Sequence, residues 1–232
     1  MGPGRVVRIV HYPVKSMGGQ APEAAVVTAR GLAGDRAWAV RTPDGRLGSG
    51  KNSRRFRRVD GLLDLAARLT PDGPVVDFPD GTAGSVADPA TGHRLSALLG
   101  RPVTLIPETD GPHHDDCPVH LVTTAAVRRF AELAGRPVDV RRLRPNLVLD
   151  VPGEGFVEDG WPGRRLAVGP EVVLAITAPM TRCVMLAAAQ PGLDRDPRLL
   201  RALAAGHALE LGVQATVERG GTVTVGDPVR LD

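Results

Sequence analysis

The sequence predicts a mainly β protein with a few helices, an α+β chain rich in β-barrel. Three observations point to this class. Short apolar runs recur along the chain. Glycines (28) and prolines (21) break them into units too short for long helices. Helical spacing of apolar residues is confined to a few stretches, a pattern that favours closed β architecture. At 232 residues the chain suits one large domain or two small ones.

Taken in order, residues 6–10 alternate as a strand and run into a loop, His11-Tyr-Pro-Val-Lys-Ser-Met-Gly-Gly19, whose prolines and glycines leave Lys15 and Ser16 on irregular backbone. Residues 24–28 form a second short strand. Gly31-Leu-Ala-Gly-Asp-Arg36 is a tight turn before a strand at 37–41, and Pro43-Asp-Gly45 marks a hairpin. Residues 62–69 fit helix or strand. Two Pro-Asp-Gly turns bracket a strand at 75–78. Residues 89–99 carry helical spacing, with Gly100 as a C-terminal cap. A strand at 103–106 precedes a polar boundary loop over 109–118.

The second half opens with a strand at 119–122, and Thr123 or Thr124 caps a helix over 125–134. Residues 166–168 and 172–176 read as a hairpin around Gly169-Pro-Glu171, after which Pro179 is expected to force the chain out of regular pairing. A short helix covers 197–205. Residues 213–218 and 222–225 read as a closing hairpin around Gly220-Gly221, followed by a last strand ending at Leu231.

Composition narrows the function classes. Lysine is nearly absent beside arginine, and the net charge is a modest +3. No apolar stretch reaches the length of a transmembrane helix, and the start of the chain lacks signal-peptide organisation, so a cytoplasmic protein without a membrane partner is expected. The two cysteines give neither a disulfide framework nor a zinc spacing. The fingerprints of nicotinamide enzymes, P-loop hydrolases and α/β-hydrolases are missing. The basic window at 51–58 has one interleaved aromatic, Phe56, too few for a base-stacking surface, so nucleic acid is not expected as a partner.

Four clusters can carry chemistry. Lys15-Ser16 on a glycine-flanked loop suits an anion, or is a solvated turn. Gly34-Asp-Arg36 offers an arginine to a phosphate, or an Asp–Arg pair that ties its own turn. Arg144-Pro-Asn146 suits a planar polar ligand, or satisfies backbone groups at a strand end. Thr181-Arg-Cys183 sets a thiol beside a fixed positive charge, where a reactive thiolate is placed, although a lone cysteine is more often a small buried hydrophobe. His113-His-Asp-Asp116 is a solvated loop that rims the site rather than a metal cluster.

Tyr12-Pro-Val-Lys-Ser16, Gly31-Leu-Ala-Gly-Asp-Arg36, Arg144-Pro-Asn146 and Thr181-Arg-Cys183, in this order and followed by Gly226-Asp-Pro-Val229, resemble the MOSC family over nearly the whole chain. The resemblance implies an N-terminal β-barrel domain over 1–112 and a MOSC domain over 113–232. It implies a molybdenum-pterin cofactor (molybdopterin), with Cys183 as the metal ligand and Lys15, Ser16, Arg36, Arg144, Asn146, Thr181 and Arg182 around the cofactor. Cys183, Arg182 and Asn146 are the implied catalytic residues. The implied activity is reduction of N-hydroxylated small molecules, fed by a separate electron-transfer protein of ferredoxin or cytochrome/flavin type. Two cysteines cannot supply the four ligands of a plant-type iron–sulfur cluster. The apolar segment after Cys183 departs from the family pattern and points to a bulky or hydrophobic substrate, or to a specialised biosynthetic role. A persulfide carried on Cys183, or a cofactor carrier without turnover, are the alternative functions.

Overall fold

The computed structural model describes residues 4–109 and 111–232. Seven strands close a barrel in the order Gly4–Ile9, Leu147–Asp150, Val119–Thr123, Glu210–Arg219, Val172–Thr181, Arg165–Val168 and Pro228–Leu231, the last pairing back to the first. The period-two alternation of the sequence sets the faces. Leu121, Leu147, Leu149, Leu166 and Leu174 fill the interior. Their neighbours Val122 and Val148 point the other way, into a second cluster with Phe130, Leu199 and Leu203.

That second cluster seats two helices, Thr124–Ala134 and Pro197–His207, on the barrel wall. Thr123 caps the first helix by accepting the Ala126 N–H, and Gly135 ends it in the left-handed conformation that favours glycine. The helix lies between Val119–Thr123 and Leu147–Asp150, the parallel pair of the barrel. Parallel neighbours need such a crossover.

Much of the first half packs on its own core. One sheet has the order Thr104–Pro107, Trp38–Arg41, Leu47–Ser49 and Phe56–Arg58, and a meander joins Ala66–Thr70, Gly73–Asp77 and Ala83–Ser85. Between them lie Val14, Met17, Val40, Leu62, Leu65, Phe78 and Leu95, the last from helix Pro89–Leu98. The ambiguous stretch 62–69 divides into a single 3-10 turn, Leu62–Asp64, and the strand Ala66–Thr70.

Two expectations are corrected. Gly220-Gly221 does not close a hairpin: Gly221–Thr224 pairs with Ala24–Thr28, which also pairs with Gly31–Leu32. Two glycines allow the turn, but a partner strand almost two hundred residues earlier captures the second arm. Pro179 does not end its strand either. Val172–Thr181 continues past it, paired to Glu210–Arg219 with register shifts on both sides of the proline. Bulges accommodate the missing N–H, and the Pro179 carbonyl still accepts the Gln214 side-chain amide at 3.0 Å. The strand therefore carries Thr181 to the barrel rim and releases Arg182 and Cys183 beyond it.

Candidate functional site at the barrel rim

Lys15, Ser16, Arg36, Arg144, Asn146, Thr181, Arg182 and Cys183, from four distant segments, all line one cleft. Each segment reaches it through a break in regular structure.

The first break is the loop after Gly4–Ile9. The Lys15 N–H donates to the Trp38 carbonyl at 2.8 Å, which fixes the loop to the first-half sheet. Lys15 and Ser16 are buried, and Ser16 holds a left-handed φ of 64°. The Lys15 ammonium pairs with Asp115 and lies 4.1 Å from the centre of the Phe56 ring. Burial pulls its pKa down to about 8, more than Asp115 restores.

Arg36 also sits at a left-handed φ, 50°. Its guanidinium pairs with Asp35 and donates to the Asn146 side-chain oxygen and the Arg144 carbonyl, both at 3.4 Å. Asp35 in turn accepts the Tyr12 N–H at 2.8 Å. The Asp35–Arg36 pair thus ties its own turn and reaches into the cleft as well. Burial disfavours the Arg36 charge, but Asp35 and Tyr12 outweigh it and raise its pKa.

Arg144 ends the 3-10 turn Val140–Leu143 at φ 53°, another left-handed non-glycine residue. It donates to the Met17 carbonyl at 2.7 Å and stacks over Tyr12, which is held between Arg144 at 4.2 Å and Arg36 at 4.8 Å. Asn146 works as a connector. Its side-chain oxygen accepts the His120 N–H at 3.1 Å, and its amide donates to the Val10 carbonyl at 3.3 Å. Satisfying backbone groups where three strands meet is a role it visibly fills, with its oxygen also turned to Arg36.

At the fourth segment, the Arg182 N–H donates to the Leu209 carbonyl at 2.7 Å, and its guanidinium donates to the Leu143 carbonyl at 2.6 Å. A second guanidinium nitrogen lies 3.3 Å from His120 Nε2. An arginine can only donate, so Nε2 is the acceptor and Nδ1 carries the proton toward the Arg144 carbonyl at 3.4 Å. His120 is therefore neutral, in keeping with burial and then Arg182 driving its pKa well below the usual value. Arg182 Nε is buried with no partner among the described residues. Cys183 is half-buried and stands at the start of the 3-10 turn Val184–Ala187 without capping it. Thr181 is exposed at the strand end.

Sequence reasoning missed several lining residues. Lys51, from the basic window at 51–58, turns inward: it pairs with Asp115 at 2.6 Å. Burial works against its charge, but Asp115 and then Cys183 hold its pKa above the ordinary value. His120 was hidden in an apolar strand. Cys117 lines the cleft too, its thiol donating to the Val119 carbonyl at 3.2 Å, and burial pushes its pKa up to about 11. Burial thus holds Cys117 neutral, whereas Cys183 is only half-buried and lines the cleft together with Lys51 and Arg182. His114, Asp115 and Asp116 line the cleft, as a rim loop should.

Five cations line the cleft, Lys15, Arg36, Lys51, Arg144 and Arg182, against the carboxylates of Asp115 and Asp116. Arg144 and Arg182 have no carboxylate partner among the described residues, and burial lowers each to about 10. Buried charge of one sign without enough counter-charge is costly. Cationic side chains outnumber the carboxylates that line the cleft. Among the described residues, no three His, Cys, Asp or Glu side chains converge on a metal position.

Comparison with known proteins agrees with this architecture. Residues 108–230 match the MOSC domain, and residues 3–76 match the MOSC N-terminal beta barrel domain. No curated protein matches the chain. Among solved structures, the YuaD protein from Bacillus subtilis is 15% identical, with a TM-score of 0.56 over 99% of this chain and 95% of that one. At that identity the likeness is one of fold. The YiiM protein from Geobacillus stearothermophilus is 21% identical over 50% of this chain and 55% of its own, at a TM-score of 0.40. With the two domain matches spanning both the first-half sheets and the barrel, the chain belongs to the MOSC family.

Proposed function

We propose that the cleft holds a molybdenum-pterin cofactor with the Cys183 sulfur as the protein's ligand to the metal, and that the chain reduces N-hydroxylated small molecules. The observation that carries this reading is the convergence of four separate segments on one cation-rich cleft that contains a half-buried thiol. The donor set suits such a group. Arg182 Nε lacks a partner, two guanidiniums lack carboxylates, and an anionic organic cofactor satisfies both needs. A soft thiolate is a fitting ligand for a redox-active transition metal. With no converging set of His, Cys, Asp or Glu side chains among the described residues, the metal would take its other ligands from outside the chain.

Lys15 and Ser16 would bind the phosphate end, with the charge on Lys15 sustained by the arriving anion. Arg36 and Arg144 would hold the cofactor from the Tyr12 side. Arg182, kept in place by His120 and the Leu143 carbonyl, would favour the thiolate of Cys183. Asn146 would position rather than react, since its oxygen already bridges His120 and Arg36. Two-electron reduction of an N–O bond is the chemistry the cofactor supplies when bound. Val184, 54% exposed, and Met185 on the cleft wall give the thiol's surroundings an apolar side that suits a substrate with an apolar body. Electrons would come from a separate ferredoxin-, cytochrome- or flavin-type protein.

The deciding experiment is molybdenum and pterin content of protein from a cofactor-producing host, wild type beside Cys183→Ala. Near-stoichiometric molybdenum in the wild type, lost in the variant, is expected, with amidoxime reduction by an artificial donor to follow. Absence of both molybdenum and pterin, even after reconstitution, would sink this reading and turn attention to a persulfide on Cys183, detectable by mass.

A further inference from the structure

One wall of the cleft, His114 to Cys117, belongs to an acidic strap over residues 111–118. Among the described residues, no backbone–backbone hydrogen bond outside regular elements reaches it. Side chains tie it down. Arg55 donates to the carbonyls of Pro112, Asp115 (3.4 Å) and His114 (3.5 Å), and Glu108 accepts the His113 N–H at 3.1 Å. The decisive tie is Asp115, which puts one carboxylate oxygen on Lys15 and the other on Lys51.

Both ammoniums of the cleft are therefore held by a single carboxylate that belongs to the protein. A second anion on the same two ammoniums would lie against the Asp115 charge in an enclosed space, where like charges at contact are strongly unfavourable. The lysines themselves are set to stay behind: Phe56 supports Lys15 at 4.1 Å and Lys51 at 5.4 Å through its ring face. The strap, held through side chains, is the part that can give way.

We infer that Asp115 is an internal stand-in for the ligand's anionic group, and that a phosphate monoester enters by exchanging this carboxylate off Lys15 and Lys51 and releasing the strap. The inference rests on the reading of the cleft as an anion site. It adds that occupancy of that site is coupled to the conformation of residues 112–116, of which His114, Asp115 and Asp116 line the same cleft as Cys183.

Inorganic phosphate at constant ionic strength is the probe, with binding measured by calorimetry on the full chain. Asp115→Asn keeps shape and removes charge, and it is expected to bind phosphate roughly tenfold more tightly than wild type. Asp116→Asn is the control. Asp116 lines the same cleft without an ion pair among the described residues, so its neutralisation should change affinity by less than about twofold. Equal gains from both variants would mean general electrostatics and overturn the exchange. Hydrogen exchange on wild-type protein provides a test independent of variants: phosphate should speed exchange of the strap amides, and slowed exchange would overturn the inference. Phosphate that binds wild type and Asp115→Asn alike would refute the strap while leaving the anion cleft intact. Phosphate that binds neither would refute both.

Discussion

The barrel interior and the cleft at its rim are neighbours built on opposite terms. Inside, Val6, Leu121, Leu147, Leu149 and Leu174 are fully enclosed and face one another across strands whose alternation fixes their direction. At the rim, cations crowd together, a guanidinium nitrogen is left without a partner, and the backbone is strained. Of the five described non-glycine residues in left-handed conformation, Ser16, Arg36 and Arg144 line the cleft, and Leu209 accepts the Arg182 N–H. Each such residue costs about 1–3 kcal/mol. Stability is gathered in the barrel and given up at the rim. Strain and unpaired charge persist only where the surrounding scaffold determines them.

The largest break in this contrast comes from hollowing the barrel. Leu149→Ala should destabilise by about 2–5 kcal/mol, read from the denaturant midpoint, because the closed interior cannot collapse into the void. A loss below 1 kcal/mol would show the barrel to be less tightly packed than its burial implies. The next effect belongs to the rim. Because burial lowers the Lys15 pKa to about 8 while Arg144 and Arg182 titrate only at about 10, sulfate, whose own charge is constant there, should bind about fivefold more weakly at pH 9 than at pH 7. Lys15→Met should bind weakly at both. A flat profile in the wild type would remove Lys15 from the anion site.

The smallest effect lies away from both regions. His207 stacks on Phe156 at 3.6 Å, with its ring nitrogens 2.6 Å from the Glu210 carbonyl and 2.8 Å from Asp159. Burial opposes its charge, but the Glu210 carbonyl and Asp159 outweigh it and raise its pKa above 6.5. The raised value fixes the sign. The clasp contributes fully below pH 6.5 and is lost as pH rises through the higher folded value. Urea midpoints of wild type should fall relative to His207→Gln across that window.

The same contrast explains what the sequence could convey. Periodicity is a local signal, so barrel strands such as those at 119–122 and 172–176, and the helices over 125–134 and 197–205, could be read from their own residues. The first-half meander announced itself by its Pro-Asp-Gly turns. Long-range pairing carries no such mark. Gly221–Thr224 joins Ala24–Thr28, and nothing in Gly220-Gly221 distinguishes a hairpin from a strand that departs for another sheet. The rim follows the same rule. Lys51 looks solvated until Asp115, 64 residues later, comes beside it. His120 alternates as if it were one more strand residue, and only Arg182 gives it a purpose. Lys15, Arg36 and Arg144 could be singled out because each sits beside glycine or proline on irregular backbone, which is visible in sequence even when its partners are not, and Cys183 because a thiol stands next to an arginine.

The barrel seam has a consequence for how the chain is made. Of the barrel strands, Gly4–Ile9 is made before the other six, yet one of its neighbours is Leu147–Asp150 and the other is Pro228–Leu231. At typical synthesis rates the first stave waits roughly ten to forty seconds for the last. Until then Val6 and Ile9 have no barrel to enter. First-half residues such as Val40 and Leu95 need no such wait, since their core closes largely within itself. Assembly is therefore paced by the slowest long-range closure, and a nascent chain stalled before residue 228 would present an open barrel edge to the chaperones around it.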